Sequence, residues 1–396
     1  MDTHLIQNVN IVAENEILFG SDLRIREGKI ARIGHGLSPE AGERVTDGGG
    51  LFAAPGFIDL HVHGGNGSDF MDATERDFEN IASFHAAHGT TSMLATTLAS
   101  TDEELLGSIE CFNGYVKAPH AGANLLGLHL EGPYFSYEQR GAQDPKYLLC
   151  PTPSHYRKIM DASPHIKRWS AAPELAGTKE FAAECRERGI LLSAAHSSCT
   201  AAQAFEALGQ GFGLITHFYS GMNGVVRRNS FRIAGLVEAG YLYDDFRVEL
   251  IADGCHLPAE LLSLVLKVKG ERKIALITDC TSAAGLTTPP YIIGSRKNGQ
   301  TVVVEQGVAF LPDHSSFAGS VATTDRLLST MLALTPATLP QAVRMLTLTP
   351  AEILGIADRK GRIAEGWDAD ILLFDREEGK IGIREVYIGG KPLPKP

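Results

Sequence analysis

The chain of 396 residues has no run of basic residues, and 36 Lys+Arg stand against 47 Asp+Glu for a net charge of −11. Nothing in it could track a phosphate backbone, so nucleic acid is excluded as an expected partner. No apolar stretch approaches the roughly 20 residues needed to span a bilayer. The opening Met1-Asp2-Thr3-His4 also lacks the basic and apolar segments of a secretory leader. The expectation is a cytoplasmic protein with no membrane partner. The six cysteines, Cys111, Cys150, Cys185, Cys199, Cys255 and Cys280, are scattered without a C-x-x-C pair and read as reduced, mostly structural thiols. No G-x-G-x-x-G opens a helix after an early strand, so a dinucleotide has no cradle. What is present is ordinary for a globular protein: 44% hydrophobic and 21% charged residues, enough to bury a large core and too apolar for disorder.

The two ends of the chain share one texture. Leu5 to Phe52 alternates short β-type runs with turn signals, as in Leu5 to Val12, Asp22 to Arg26 and Lys29 to Ile33, with Glu27-Gly28 between the last two. The pattern returns in Ala369 to Asp375 and Ile383 to Ile388. Residues 1–53 and 355–396 are therefore expected to pack as one small β domain.

The middle, 54–354, has another rhythm, in which short buried-type strands alternate with helix-length segments. Eight strands are predicted: 56–63, 90–98, 125–131, 167–173, 190–196, 213–218, 247–252 and 273–279. Amphipathic stretches at 102–116, 177–188, 201–208 and 259–268 read as helices between them. Eight β/α units predict a closed (β/α)8 barrel rather than an open sheet. An irregular insertion at 281–319, with an Asn298-Gly299 turn between β-type runs, is where a lid or substrate loop would sit.

A barrel builds its site from the carboxyl ends of its strands. The first predicted strand ends in His61-Val62-His63, whose two rings fall on one side because strand side chains alternate. Glu131, His196, His217 and Asp279 lie at four further strand ends. Imidazoles and carboxylates converging on one mouth suit a divalent zinc, iron or manganese ion. His129 could face the same mouth, but Glu131 is preferred because a carboxylate can bridge two ions. His4, His35, His85, His88, His120, His155, His165 and His314 lack strand-end context and read as structural or surface residues.

These motifs, with His-Leu-Glu-Gly-Pro at 129–133, Thr216-His217, Thr278-Asp279 and the run from Ala53 to Asp59, resemble the metal-dependent amidohydrolase superfamily. Within it the resemblance is greatest to the N-acetylglucosamine-6-phosphate deacetylases, over nearly the whole chain. It implies an α/β fold, a TIM-like barrel carrying a small β-sandwich made from both termini. It also implies one or two divalent metals per chain, with zinc foremost. By the same resemblance Glu131, His196 and His217 hold one ion, and His61 and His63 hold a second bridged by Glu131. Asp279 counts among the metal residues and moves the proton, and His256 contacts the substrate as the second catalytic residue. The implied reaction cleaves an N-acetylhexosamine-6-phosphate to acetate and an amino-sugar phosphate, in amino-sugar catabolism.

Departures fall in the substrate loops. The family's Gly-Ala-His is Gly141-Ala142-Gln143 here, its Asn-Ala-Met is Ser220-Gly221-Met222, and its Arg-Glu-Pro-Gly segment is rewritten around Arg227 and Arg228. Gln143, Ser220, Gly221, Arg227 and Arg228 are the resulting substrate-binding candidates. The arginines could reach a 6-phosphate in a neighbouring subunit, which implies a homodimer. N-acetylgalactosamine-6-phosphate, an unphosphorylated amide or another amidohydrolase substrate stays open. A barrel without catalysis, serving as an interaction protein, is the rival from another class. Losing a ligand or the acid/base would mark it, and all six residues are present.

Overall fold

The computed structural model describes residues 3–394. Met1, Asp2, Lys395 and Pro396, at the ends of the expected terminal domain, lie outside the described residues.

All eight predicted strands form, and they are neighbours in chain order around one parallel sheet. They run Phe57–Val62, Thr90–Thr96, Asn124–Glu131, Ile166–Ala171, Leu191–Ala194, Phe212–Ile215, Arg247–Leu250 and Ile274–Leu276. Every residue of Phe57–Val62 and of Thr90–Thr96 is buried, as expected where a parallel sheet is covered on both faces. The ring closes where the last strand has already ended. Val62 pairs in parallel with Cys280, the Asp279 N–H donates to the His61 carbonyl at 2.9 Å, and the His63 N–H donates to the Cys280 carbonyl at 2.9 Å. The (β/α)8 expectation therefore holds.

Helices begin where threonine can cap them. The hydroxyl oxygens of Thr74, Thr101 and Thr200 accept N–H bonds from Asp77, Glu104 and Gln203, each three residues on. The helix Glu75–Ala87 follows the first barrel strand, and Asp102–Tyr115, Thr178–Glu187, Ala201–Gly209 and Ala259–Lys269 match the predicted stretches to within one residue at each end. Large side chains such as Phe78, Phe112, Trp169 and Phe181 fill the space between helices and strands. No helix among the described residues is long and apolar enough to cross a membrane.

The terminal stretches share one eight-stranded sheet. Phe52–Pro55 pairs in parallel with Thr3–Val12 and antiparallel with Ile371–Glu377, which joins the two ends of the chain. Ile6, Leu23, Ile25, Ile371, Leu373 and Tyr387 make its separate apolar core. The insertion is more regular than expected: Tyr291–Ile293, Gln300–Glu305, Val308–Phe310 and Phe317–Ser320 form a four-stranded antiparallel sheet. Its first turn contains Asn298 and Gly299, as predicted.

Candidate metal centre and active site

Three of the strand-end residues share an unusual backbone. His196, His217 and Asp279 have φ of 46°, 30° and 48°, the left-handed region that non-glycine residues avoid. Each lies just beyond the last ladder residue of its strand, so the strands stop earlier than the sequence suggested. Such strain costs on the order of 1–3 kcal/mol per residue and is characteristic of functional sites.

Two buried clusters result, His61 with His63 and Asp279, and Glu131 with His196 and His217; in each, one ligand atom per residue lies within 4.8 Å of the others. Glu131 joins them. Its Oε1 is 3.3 Å from His196 Nε2, 3.1 Å from His217 Nε2 and 3.5 Å from His61 Nε2, while its Oε2 is 3.4 Å from His63 Nε2. Asp279 Oδ1 lies 3.4 Å from His61 Nε2 and 3.2 Å from His63 Nε2. The rings are aimed from behind: Nδ1 of His196 donates to the Gln139 carbonyl at 2.8 Å, and Nδ1 of His217 to the Ser220 carbonyl at 3.0 Å. Both Nε2 atoms are thereby left to face Glu131.

Buried nitrogen and oxygen donors at this spacing fit one or two borderline divalent ions. The electrostatics agree. Burial opposes ionisation of Glu131, yet His61, His196 and His217 hold its carboxyl well below the ordinary range. Burial likewise opposes ionisation of Asp279, and His61 and His63 overcome it. Burial disfavours a charged ring at His63, but the bond to Asp279 and the charges of Glu131, Asp279 and Asp69 push it up to about 9. A cation entering here therefore exchanges with a proton.

A cavity of about 260 Å³ opens on the centre. His63, Glu131, Gln143, His196, His217, Ser220, Gly221, His256 and Asp279 all line it; His61 is fully buried and does not. Gln143 is pinned at both ends of its amide, accepting from the Ala99 N–H at 3.0 Å and donating to Glu131 Oε2 at 2.7 Å. His256 Nδ1 donates to Asp253 Oδ2 at 2.9 Å, while Asp253 Oδ1 accepts the N–H groups of Cys255 and His256 at 2.9 Å each. The fixed ring packs against Phe317, with centroids 4.6 Å apart and planes inclined by 41°. Ile293, Ser316 and Phe317 bring the insertion sheet to the cavity, as a substrate loop would.

Arg227 and Arg228 do not reach this cavity. They lie on an exposed hairpin, Val226–Arg228 paired with Phe231–Ile233, whose turn residues Asn229 and Ser230 both have positive φ. His129 turns away from the mouth, bonded to Ser170 Oγ at 2.7 Å and Thr96 Oγ1 at 3.2 Å.

Sequence reasoning named Asp59, Thr216 and Thr278 only as parts of motifs and missed the polar layer they help to build under the centre. Thr96, Asp59, Arg168, Ser170, Ser193 and Glu249 are buried polar residues of the barrel strands, where bulky branched side chains are usual, and the buried Thr216 and Thr278 follow the sixth and eighth strands. Thr278 Oγ1 donates to Asp59 Oδ2 at 2.5 Å, and burial pushes the Asp59 carboxyl up to about 7. Polar residues within an otherwise apolar strand were the available signal.

Residues 52–393 match the amidohydrolase family. The N-acetylglucosamine-6-phosphate deacetylase of Lysinibacillus sphaericus is 33% identical over 374 residues, covering 94% of this chain and 93% of that protein. The N-acetylgalactosamine-6-phosphate deacetylase of Escherichia coli O157:H7 is 29% identical, covering 98% of this chain and 99% of that one. The crystal structure of N-acetylglucosamine-6-phosphate deacetylase from Pasteurella multocida superposes with a TM-score of 0.90 at 26% identity, over 98% of this chain and 99% of that chain.

Proposed function

The chain belongs to the amidohydrolase family, and from that premise we propose that it hydrolyses the acetamide of an N-acetylhexosamine-6-phosphate, foremost N-acetylglucosamine-6-phosphate, to acetate and the amino-sugar phosphate. The observation that carries this reading is the pair of ligand clusters joined through Glu131 at the floor of a cavity large enough for part of a sugar. Glu131, His196 and His217 would hold one divalent ion, and His61 and His63 a second with Glu131 between them; zinc fits the donor set best. When bound, such an ion supplies Lewis acidity, which can lower the pKa of water to about 7.

The chain's own groups supply the rest. Asp279, held ionised by its histidine neighbours, accepts the proton of the attacking water and returns it to the departing amine. His256, with Nδ1–H committed to Asp253, presents Nε2 to the substrate. Gln143, Ser220 and Gly221 line the path of the sugar and orient it.

Among the described residues no lysine or arginine lines the cavity, although a phosphate calls for a cation. The exposed hairpin carries Arg227 and Arg228 beside the apolar Val225, Val226 and Phe231, the last 76% exposed. Both facts support a homodimer in which one subunit's arginines complete the other's site. The working location of the reading is the cytoplasm.

Acetate release tests it, with N-acetylglucosamine-6-phosphate, N-acetylgalactosamine-6-phosphate, the plain sugars and N-acetyl amino acids, each with zinc, iron or manganese. The expected result is strong preference for one phosphorylated sugar. Turnover of plain sugars or amino acids alone would keep the metal chemistry and overturn the phosphate assignment.

A further inference from the structure

Arg168 and Glu249 face each other inside the barrel, both with no solvent exposure. All five guanidinium N–H groups are used. Nε donates to Ser193 Oγ at 3.0 Å, Nη1 to the Leu60 carbonyl at 3.1 Å and to Glu249 Oε1, and Nη2 to Thr216 Oγ1 at 2.8 Å and to Glu249 Oε2 at 2.7 Å. The carboxylate is therefore gripped in a fork. Its Oε2 lies 3.9 Å from Nδ1 of His61, and that nitrogen is buried without a hydrogen-bond partner. The other nitrogen of the same ring faces Glu131 and Asp279.

Packing does not account for this pair. Two charges removed from water are costly, and apolar residues of similar volume are often neutral or stabilising in their place. A ligating histidine, by contrast, almost always needs an acceptor for its second N–H, which fixes the ring and raises its basicity. His196 and His217 have neutral carbonyl acceptors, from Gln139 and Ser220. Of these three rings, His61 is the one with a carboxylate behind it.

We propose that the Arg168–Glu249 pair is a positioning device for His61. Glu249 is the carboxylate set behind Nδ1 that directs the ring, and Arg168 locks Glu249. Through His61 the pair sets how firmly the His61/His63 side of the centre holds its ion. The inference rests on the two-ion reading above.

The test uses the full chain, stripped and reloaded with zinc, with stoichiometry read by elemental analysis and both dissociation constants by chelator competition. His61→Ala in parallel identifies the ion that depends on His61. The double variant Arg168→Met, Glu249→Leu leaves no unpaired charge, so the metal-free protein is expected to melt at the wild-type temperature or above. The expected result is a 10–100-fold weaker His61-dependent ion with the other constant unchanged.

Equal weakening of both ions would make the pair merely structural, and two unchanged constants would leave it no role; either overturns the inference. A wild-type chain that never holds a His61-dependent ion removes the two-ion reading and this inference with it. Should the double variant not fold, the zinc-loaded wild type decides by NMR. A downfield, exchange-protected Nδ1–H resonance that disappears in His61→Ala is expected, and its absence overturns the inference.

Discussion

Asp279 combines a strained backbone with a carboxylate held ionised among histidines, which suits a group that must take a proton and give it back. Asp279→Asn keeps the shape and removes the base. Turnover is expected to fall by about 10²–10⁴, the usual contribution of general acid–base catalysis, with metal content unchanged. Steady-state kinetics beside elemental analysis checks it, and near-normal turnover would remove the role. That this residue would meet His61, His63, Glu131, His196 and His217 at one mouth was legible in the sequence, because a polar residue ending a buried strand announces itself. The partners behind them were not. Whether Arg168 meets Glu249, or Asp253 meets His256, depends on which side chains face one another across a closed ring, and strand patterning carries no such distance information. The left-handed backbone at His196, His217 and Asp279 was equally invisible, since it follows from how the ring closes.

Single elements behaved much as their periodicity foretold, with strand ends the main exception. The insertion at 281–319 was read as irregular because its strands are as short as three residues, too short for alternation to register. One helix carries a pH dependence. On Glu75–Ala87, His85 Nε2 donates to the Gly64 carbonyl at 2.9 Å, and burial lowers the ring's pKa to about 4. Below about 6.5, the unfolded value, the unfolded chain binds a proton that the folded chain refuses until about pH 4. This contribution is present above pH 6.5 and is lost as pH falls through that window. His85→Gln retains an N–H donor and cannot titrate. Denaturant unfolding of the metal-free proteins at pH 7.5 and 5 is expected to show the wild type losing about 2 kcal/mol more than the variant. Equal losses would show that the helix contact has no such dependence.

The whole molecule was legible in outline, a barrel with both chain ends joined beside it, because eight β/α repeats flanked by β-type termini leave few alternatives. The proposal of a dimer rests on the arginines and the rewritten loop around them. If the hairpin completes a neighbouring site, Arg227→Ala with Arg228→Ala should raise KM at least tenfold for phosphorylated sugars, while plain ones stay unaffected. Phe231→Glu should shift the sedimentation coefficient toward a monomer. A dimer indifferent to Phe231, or equal losses on both kinds of sugar, would reject the arrangement. The joined ends also set a clock. Ala54 waits for Leu372 as its antiparallel neighbour, and at roughly 5–20 residues per second the ribosome needs about 15–60 s to supply it. Throughout that interval the nascent amino-terminal strands present an open edge, the surface on which chains pair wrongly with one another. Yield in a cell should therefore depend on what shields that edge during synthesis, independently of how stable the finished enzyme is.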